Sequence, residues 1–291
     1  MFNRIIVVTV LSPASFGLVN CLEGLKVFGA KQCLLLQCLS FQEAASTALS
    51  YSTACQENTL HEQQKVLEAQ GFEVESRIVP GFAKLEINRV ADEEEDSLIA
   101  VGTHAHSMVG DAMFGGFAYE LIHSARKPIL LIPQEKKCSE GDAGIQTTHR
   151  NFSEHILFPT DFSENADHAF TYVEKLAADG AQHITLAHIQ DRSRIDPHLT
   201  SRLDEFNEID HLRLAMLKER LPTRENLTVD ISLSYGSPYE EITRLIRERN
   251  VHMVVMGSQG RSFVKEVLLG SVSHNVARHS IAPVLLIPLG C

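Results

Sequence analysis

Tryptophan is absent from this 291-residue chain, and several signatures of chemistry are absent with it. Positive charge is scarce: 26 basic residues stand against 37 acidic ones, for a net charge of −11. That balance argues against broad nucleic-acid binding, which needs a basic face to displace counterions. Any anion site must therefore be built locally, from backbone N–H groups and a few nearby cations. No apolar run approaches the roughly 18 residues that cross a bilayer. The opening MFNRIIVVTVL runs into SPASFGLVN without a small-residue cleavage site, so it reads as a buried first strand rather than a signal. A cytoplasmic protein with no membrane partner is expected.

Among the six cysteines there is no CxxC, and no His pair stands at zinc-finger spacing, so free thiols in a reducing compartment are expected. His104 and His106 form an HxH, but two ligands do not make a metal site. The G-K-[ST] of a P-loop is missing, as is the G-x-G-x-x-G of a dinucleotide fold. Paired carboxylates, a Ser-His-Asp set and a second-metal cluster are also lacking, so no residue is assigned a catalytic role.

What is present is a unit written twice. Shifted by 155 residues, the segment 100–133 aligns with 255–288, and nine of the 34 positions are identical. The matches include Gly102 with Gly257, Gly115 with Gly270, and the closing P-x-L-L-I-P. Gly81 and Gly236 match at the same offset, while Thr9/Thr160, Ser12/Ser163 and Gly29/Gly180 match at 151. A repeat this long implies two domains rather than a solenoid. The expected division is a first domain at 1–134, a polar linker at 135–153, and a second domain at 154–291.

The second half alternates strand and helix. HILFPT is a short apolar run, with Asp161 and Ser163 as capping candidates for a helix from about Glu164 to Gly180. HITLAHI is strand-like. Residues 199–220 form a charged helix whose apolar positions are Leu203, Phe206, Ile209, Leu212, Leu214 and Leu217. LTVDISLSYG alternates with period two. Ser237 and Glu240 have capping-box spacing for a helix over 237–250. VHMVVM is a buried strand, 271–280 a helix, and PVLLIP a final strand. This alternation predicts an α/β fold with parallel sheets, in which ligands bind beyond the carboxyl ends of the strands.

At that end stands GSQGRSFVKEVLLGS, directly after VHMVVM. Gly257 and Gly260 allow a tight turn and a close backbone approach to a ligand. Gly270-Ser271 opens the next helix, where unpaired N–H groups and the helix dipole favour phosphate. Ser271 and Ser273 offer hydroxyl donors, and Arg261 and Lys265 offer local positive charge.

These residues, together with the P-T-D-x-S after the first strand of this half and the closing P-V-L-L-I-P, resemble the universal stress protein family. The resemblance covers 152–290 with a complete nucleotide motif and about 3–133 with a weaker one. It implies two tandem, doubly wound, five-stranded parallel-sheet domains of strand order 3-2-1-4-5, arranged as a pseudo-dimer within the chain. A homodimer through the final strand, Val284 to Ile287, is a further implication. One branch of the family binds ATP, and the cofactor implied here is ATP or AMP, with Mg²⁺ as a companion ion. By the same resemblance, Pro159, Thr160 and Asp161 meet the nucleoside, and His188 and Ile189 lie beside the adenine. Met256, Gly257, Ser258, Gly260 and Arg261 wrap the ribose and phosphates. Gly270, Ser271, Val272 and Ser273 hold the phosphate tail. Asp161 could serve as a base or Mg²⁺ ligand or instead as the N-cap of the next helix, and for His188 a hydrogen-bonded strand-end role is expected over polarising a phosphate.

The first half departs from the motif. Val8 and Val10 replace Pro159 and Asp161, Ala105 replaces Gly260, and Gly116 replaces Ser271. Phe114, Phe117 and Tyr119 suit a filled cavity or a different apolar ligand. The expected function is a stress-response regulatory protein that binds one adenine nucleotide in its second half. The alternatives are a slow Mg²⁺-dependent ATPase or autophosphorylating protein, and an interaction scaffold that needs no ligand.

Overall fold

A computed structural model describes residues 1–9, 14–39, 52–94, 96–104, 117–134, 151–196, 198–260 and 269–289. The chain divides between Arg150 and Asn151 into two compact units.

The first unit runs β1 (Arg4–Val8), α1 (Ala14–Asn20), β2 (Gln32–Leu39), α2 (Ser52–Ala69), β3 (Glu73–Pro80), α3 (Ala83–Glu93), β4 (Ser97–His104), α4 (Phe117–Ser124) and β5 (Ile129–Gln134). Its strand order is β3-β2-β1-β4-β5, with parallel pairing throughout. β1 is buried from Ile5 to Val8, as a central parallel strand covered on both faces requires. A 3-10 turn, Leu22–Phe28, closes at Gly29, whose φ of 90° lies in the left-handed region that glycine tolerates.

The second unit runs β6 (Ile156–Thr160), α5 (Glu164–Asp179), β7 (His183–Asp191), α6 (Arg192–Ile195), α7 (Leu203–Arg220), β8 (Thr228–Gly236), α8 (Pro238–Glu248), β9 (Met253–Gly257), α9 (Ser271–His279) and β10 (Val284–Ile287). The order is β8-β7-β6-β9-β10, again parallel. Both units therefore have the 3-2-1-4-5 order. β6 and β9 are wholly buried, whereas the edge strand β8 is largely half-exposed.

Local details separate the two capping candidates. Ser163 Oγ accepts the N–H of Ala166 at 3.2 Å and so caps α5. Asp161 Oδ1 instead accepts the N–H of Ser163 at 3.1 Å, in a turn just before the cap. Ser237 occupies the N-cap of α8, but its side chain makes no capping bond; Pro238 at the first helical position already presets the backbone.

On α7 the buried positions are Asp210, Leu214 and Leu217, spaced by four and three residues, so they form one stripe toward the sheet. Ile209 and Leu212 fall off that stripe and are 42% and 65% exposed. Cys21 and Cys33 are buried free thiols and Cys38 is a half-buried one. The side chains of Cys55, Cys138 and Cys291 lie outside the described set. Among the described residues no helix is long and apolar enough to cross a membrane.

Candidate functional site

The strand order of the second unit reverses at β6, which has β7 on one side and β9 on the other. The chain leaving β6 and the chain leaving β9 therefore part company, and a crevice opens beyond their carboxyl ends. A cavity of about 690 Å³ occupies this place. That volume lies within the range of small-molecule sites.

The chain beyond β6, β7 and β9 builds its walls together with the helices α7 and α9. From the end of β6 come Pro159, Thr160 and Asp161, and from the end of β7 come His188, Ile189 and Gln190. Met256, Gly257, Gln259 and Gly260 follow from β9, and Leu269 to Ser273 from the start of α9. α7 contributes Phe206, Ile209, Asp210 and Arg213. Of the fourteen residues expected at a nucleotide site, twelve line this one cavity. Ser258 does not, and Arg261, like Lys265, lies outside the described residues.

Ser258 serves the loop itself. Its N–H donates to Ile287 O at 2.9 Å, and its carbonyl accepts the N–H of Gly270 at 2.8 Å. The two ends of the glycine segment are thereby tied together beside β10. Ser273 Oγ donates to Gly257 O at 2.9 Å. Its proton is thus used within the loop rather than offered to a ligand, which alters the donor role expected of it.

The glycines are needed for different reasons. A methyl group on Gly257 would lie 2.2 Å from Asn165 Oδ1, so the missing Cβ makes room for Asn165. One on Gly260 would lie 2.7 Å from Asp161 Oδ2, so the absent side chain lets the loop close onto the Asp161 carboxylate. A methyl on Gly270 would meet nothing nearer than 3.4 Å. Gly270 matters instead as the N-cap of α9, where it makes no side-chain capping bond to the first turn.

Asn165 is the main residue that sequence reasoning missed. Only 3% exposed, it joins three elements: Oδ1 accepts the N–H of Gln259 at 2.8 Å, and Nδ2 donates to Ile287 O at 3.4 Å. An amide in the first turn of a helix carries no sequence signal that separates this role from a solvated one. Phe162 was also missed. Its φ of 57° is left-handed, and its ring packs 4.6 Å from that of His188, with the Arg213 guanidinium 5.2 Å away. Such backbone strain in a non-glycine residue concentrates at functional sites.

His188 is buried, and its Nδ1 lies 2.7 Å from Thr160 O, which can only accept. Nδ1 therefore carries the proton and pins the end of β7 to that of β6. The described walls carry three carboxylates, Asp161, Asp191 and Asp210, and two guanidinium groups, Arg194 and Arg213. The N-terminus of α9, a place where helix N–H groups can meet an anion, borders the same cavity at Gly270 and Ser271. Among the described residues, no three or more His, Cys, Asp or Glu side chains are grouped to hold a metal.

In the first unit, Val8 ends β1 at the place of Pro159. Val10 and the segment 105–116, which includes Ala105, Phe114 and Gly116, lie outside the described residues, as do the side chains of Phe117 and Tyr119. So do residues 135–150 of the expected linker, 135–153.

Comparison with known proteins agrees with this architecture. The model of the "Universal stress protein family" matches residues 1–133 and 153–288. Universal stress protein MJ0577 of Methanocaldococcus jannaschii is 31% identical over 150 residues, covering 45% of this chain and 93% of that protein. Universal stress protein YxiE of Bacillus subtilis is 36% identical over 88 residues, covering 27% of this chain and 60% of that protein. Among solved structures, a universal stress protein from Archaeoglobus fulgidus covers 98% of this chain and 96% of its own, at 21% identity and a TM-score of 0.68. This chain belongs to the universal stress protein family and carries its domain twice.

Proposed function

We propose that the second unit binds an adenine nucleotide, ATP or AMP, and that the protein is a stress-response regulator acting through the bound state. One observation carries this reading: Asp161 and the glycine segment of Gly257, Gly260 and Gly270, far from it in sequence, line a single cavity where the strand order reverses. The phosphates lie over Gly270 and Ser271, at the N-terminus of α9. Arg261, immediately after Gly260, supplies positive charge. Asp161 accepts hydrogen bonds from ribose hydroxyls, which suits a carboxylate better than a place beside phosphate. Mg²⁺, where present, offsets the phosphate charge facing the cavity's carboxylates. The base lies against the apolar wall that includes Ile189 and Met256.

Binding rather than turnover is favoured, because the Ser273 proton is held by Gly257 O. One nucleotide per chain is proposed, since the first half lacks the Asp, the second loop Gly and the Ser. The test is to purify the full chain, release bound small molecules by denaturation and identify them by mass spectrometry. Adenine nucleotide at up to one per chain supports the reading. A chain that emerges empty and stays empty after incubation with millimolar ATP or AMP overturns it.

A further inference from the structure

We propose that Asp210 reads the base: its carboxylate accepts a hydrogen bond from an exocyclic amino group and so selects a 6-aminopurine over a 6-oxopurine. The inference rests on the reading of the cavity as an adenine-nucleotide site.

Asp210 is 8% exposed and lines the cavity from α7, the only carboxylate of the three cavity acids to be buried. Burying a charged carboxylate is costly unless its acceptor positions are filled. It has about four such positions. Oδ2 accepts from Gln190 Nε2 at 3.0 Å. His188 Nε2 lies 3.5 Å from the same oxygen, beyond ordinary hydrogen-bond length. Among the described residues, Oδ1 is met by the Arg213 guanidinium, also at 3.5 Å. The Arg213 side chain is 50% exposed, so water screens that pair.

Among the described residues, a buried carboxylate with spare acceptor capacity thus stands in the wall of a ligand cavity. Phe206 and Ile209, its neighbours on α7, and Ile189 give the same cavity apolar surface suited to a flat ring. A ring bearing an N–H₂ group supplies the missing donor. A keto oxygen at that position sets lone pairs against the carboxylate and is rejected.

ATP and ITP test this directly, because ITP replaces the amino group with a keto oxygen. Titration calorimetry on the full wild-type chain should show ATP binding about 10- to 100-fold tighter than ITP, the effect of one hydrogen bond to a charged group. Asp210→Asn presents an amide that can donate to the keto oxygen. It should bring the two affinities to within about threefold or reverse their order, a gain for ITP that general damage cannot produce. Equal wild-type affinities, or an equal loss for both nucleotides in Asp210→Asn, overturn the role of Asp210 and leave the nucleotide reading standing. If the wild type binds neither, the nucleotide reading itself falls, and this inference with it.

Discussion

Asn165 Oδ1 accepts the backbone N–H of Gln259 at 2.8 Å, joining positions 94 residues apart. This bond fixes the loop after β9 to the first turn of α5, and it is why position 257 has no room for a side chain. A methyl group there would lie 2.2 Å from the same oxygen. A glycine read in sequence as allowing close approach to a ligand is thus required first by the protein's own interior.

Gly257→Ala should therefore destabilise the second unit without any ligand present. The methyl must push Asn165 off its two backbone partners, and losing buried hydrogen bonds costs about 1–3 kcal/mol. Asn165→Ala should cost a similar amount. The double variant should cost clearly less than the sum, because both changes break the same contacts. Urea denaturation of the three variants measures this, and strict additivity would refute the coupling.

Gly260 is held by a different neighbour. Its absent Cβ would sit 2.7 Å from Asp161 Oδ2, so Gly260→Ala displaces the carboxylate proposed to hold the ribose. ATP affinity should fall about tenfold or more, in line with one lost hydrogen bond to a charged group. In an Asp161→Ala background the further effect of Gly260→Ala should be small. An undiminished effect there would mean that the methyl blocks the ligand itself rather than moving Asp161.

How much of this was legible beforehand differs from element to element. The glycine loop was legible because its spacing recurs in the first half, so the departures there marked which positions matter. The parallel α/β class followed from the alternation of apolar runs and amphipathic helices, whereas the 3-2-1-4-5 strand order was implied by the family resemblance. Asn165 was not legible, because its partners come from β10 and from the loop after β9. Nor was the α7 wall. The helix could be read from its sequence, but only packing on the sheet shows that Asp210 faces inward while Leu212 faces out. The caps divided in the same way: Ser163 and Asp161 were equal candidates in sequence, and only the fold assigns the cap to Ser163.

Acid should destabilise the second unit through His155. Its ring stacks on His183 at 3.8 Å, with Nδ1 2.9 Å from Arg249 O and Nε2 2.8 Å from Thr185 Oγ1. Burial pushes its pKa below the ordinary value; the Arg249 carbonyl opposes this, while the charges of His183, His252 and Arg249 add to it. Asp230 lies 2.8 Å from His183, and Glu154 the same distance from His252. Because the folded-state pKa is depressed, the unfolded chain takes up the proton first as pH falls. Stability is thus retained above about pH 6.5 and lost progressively below it, down to the folded pKa. Thermal melts of wild type and His155→Gln between pH 5 and 8 check the sign; a steeper acid loss in the variant would contradict it.

The described thiols should be nearly inert in the folded protein. Burial pushes the Cys33 thiol up to about 12 and the Cys38 thiol up to about 11, with Glu86 adding to the latter. The thiolate is the reactive species, so at pH 8 roughly 0.1% or less of either is available. Alkylation followed by peptide mapping should find both slow in buffer and fast in denaturant. Rapid native labelling of Cys33 would show that β2 opens readily.

The most direct measurement is calorimetric titration of the full chain with ATP and with AMP, repeated on Gly260→Val. One site per chain is expected for whichever nucleotide binds, with that site lost in the variant while its melting temperature still reports a folded chain. Two equal sites would mean that the first half binds nucleotide despite its substitutions. No binding to the wild type, or binding undisturbed by Gly260→Val, would mean that the cavity at the end of β6 and β9 is not a nucleotide site.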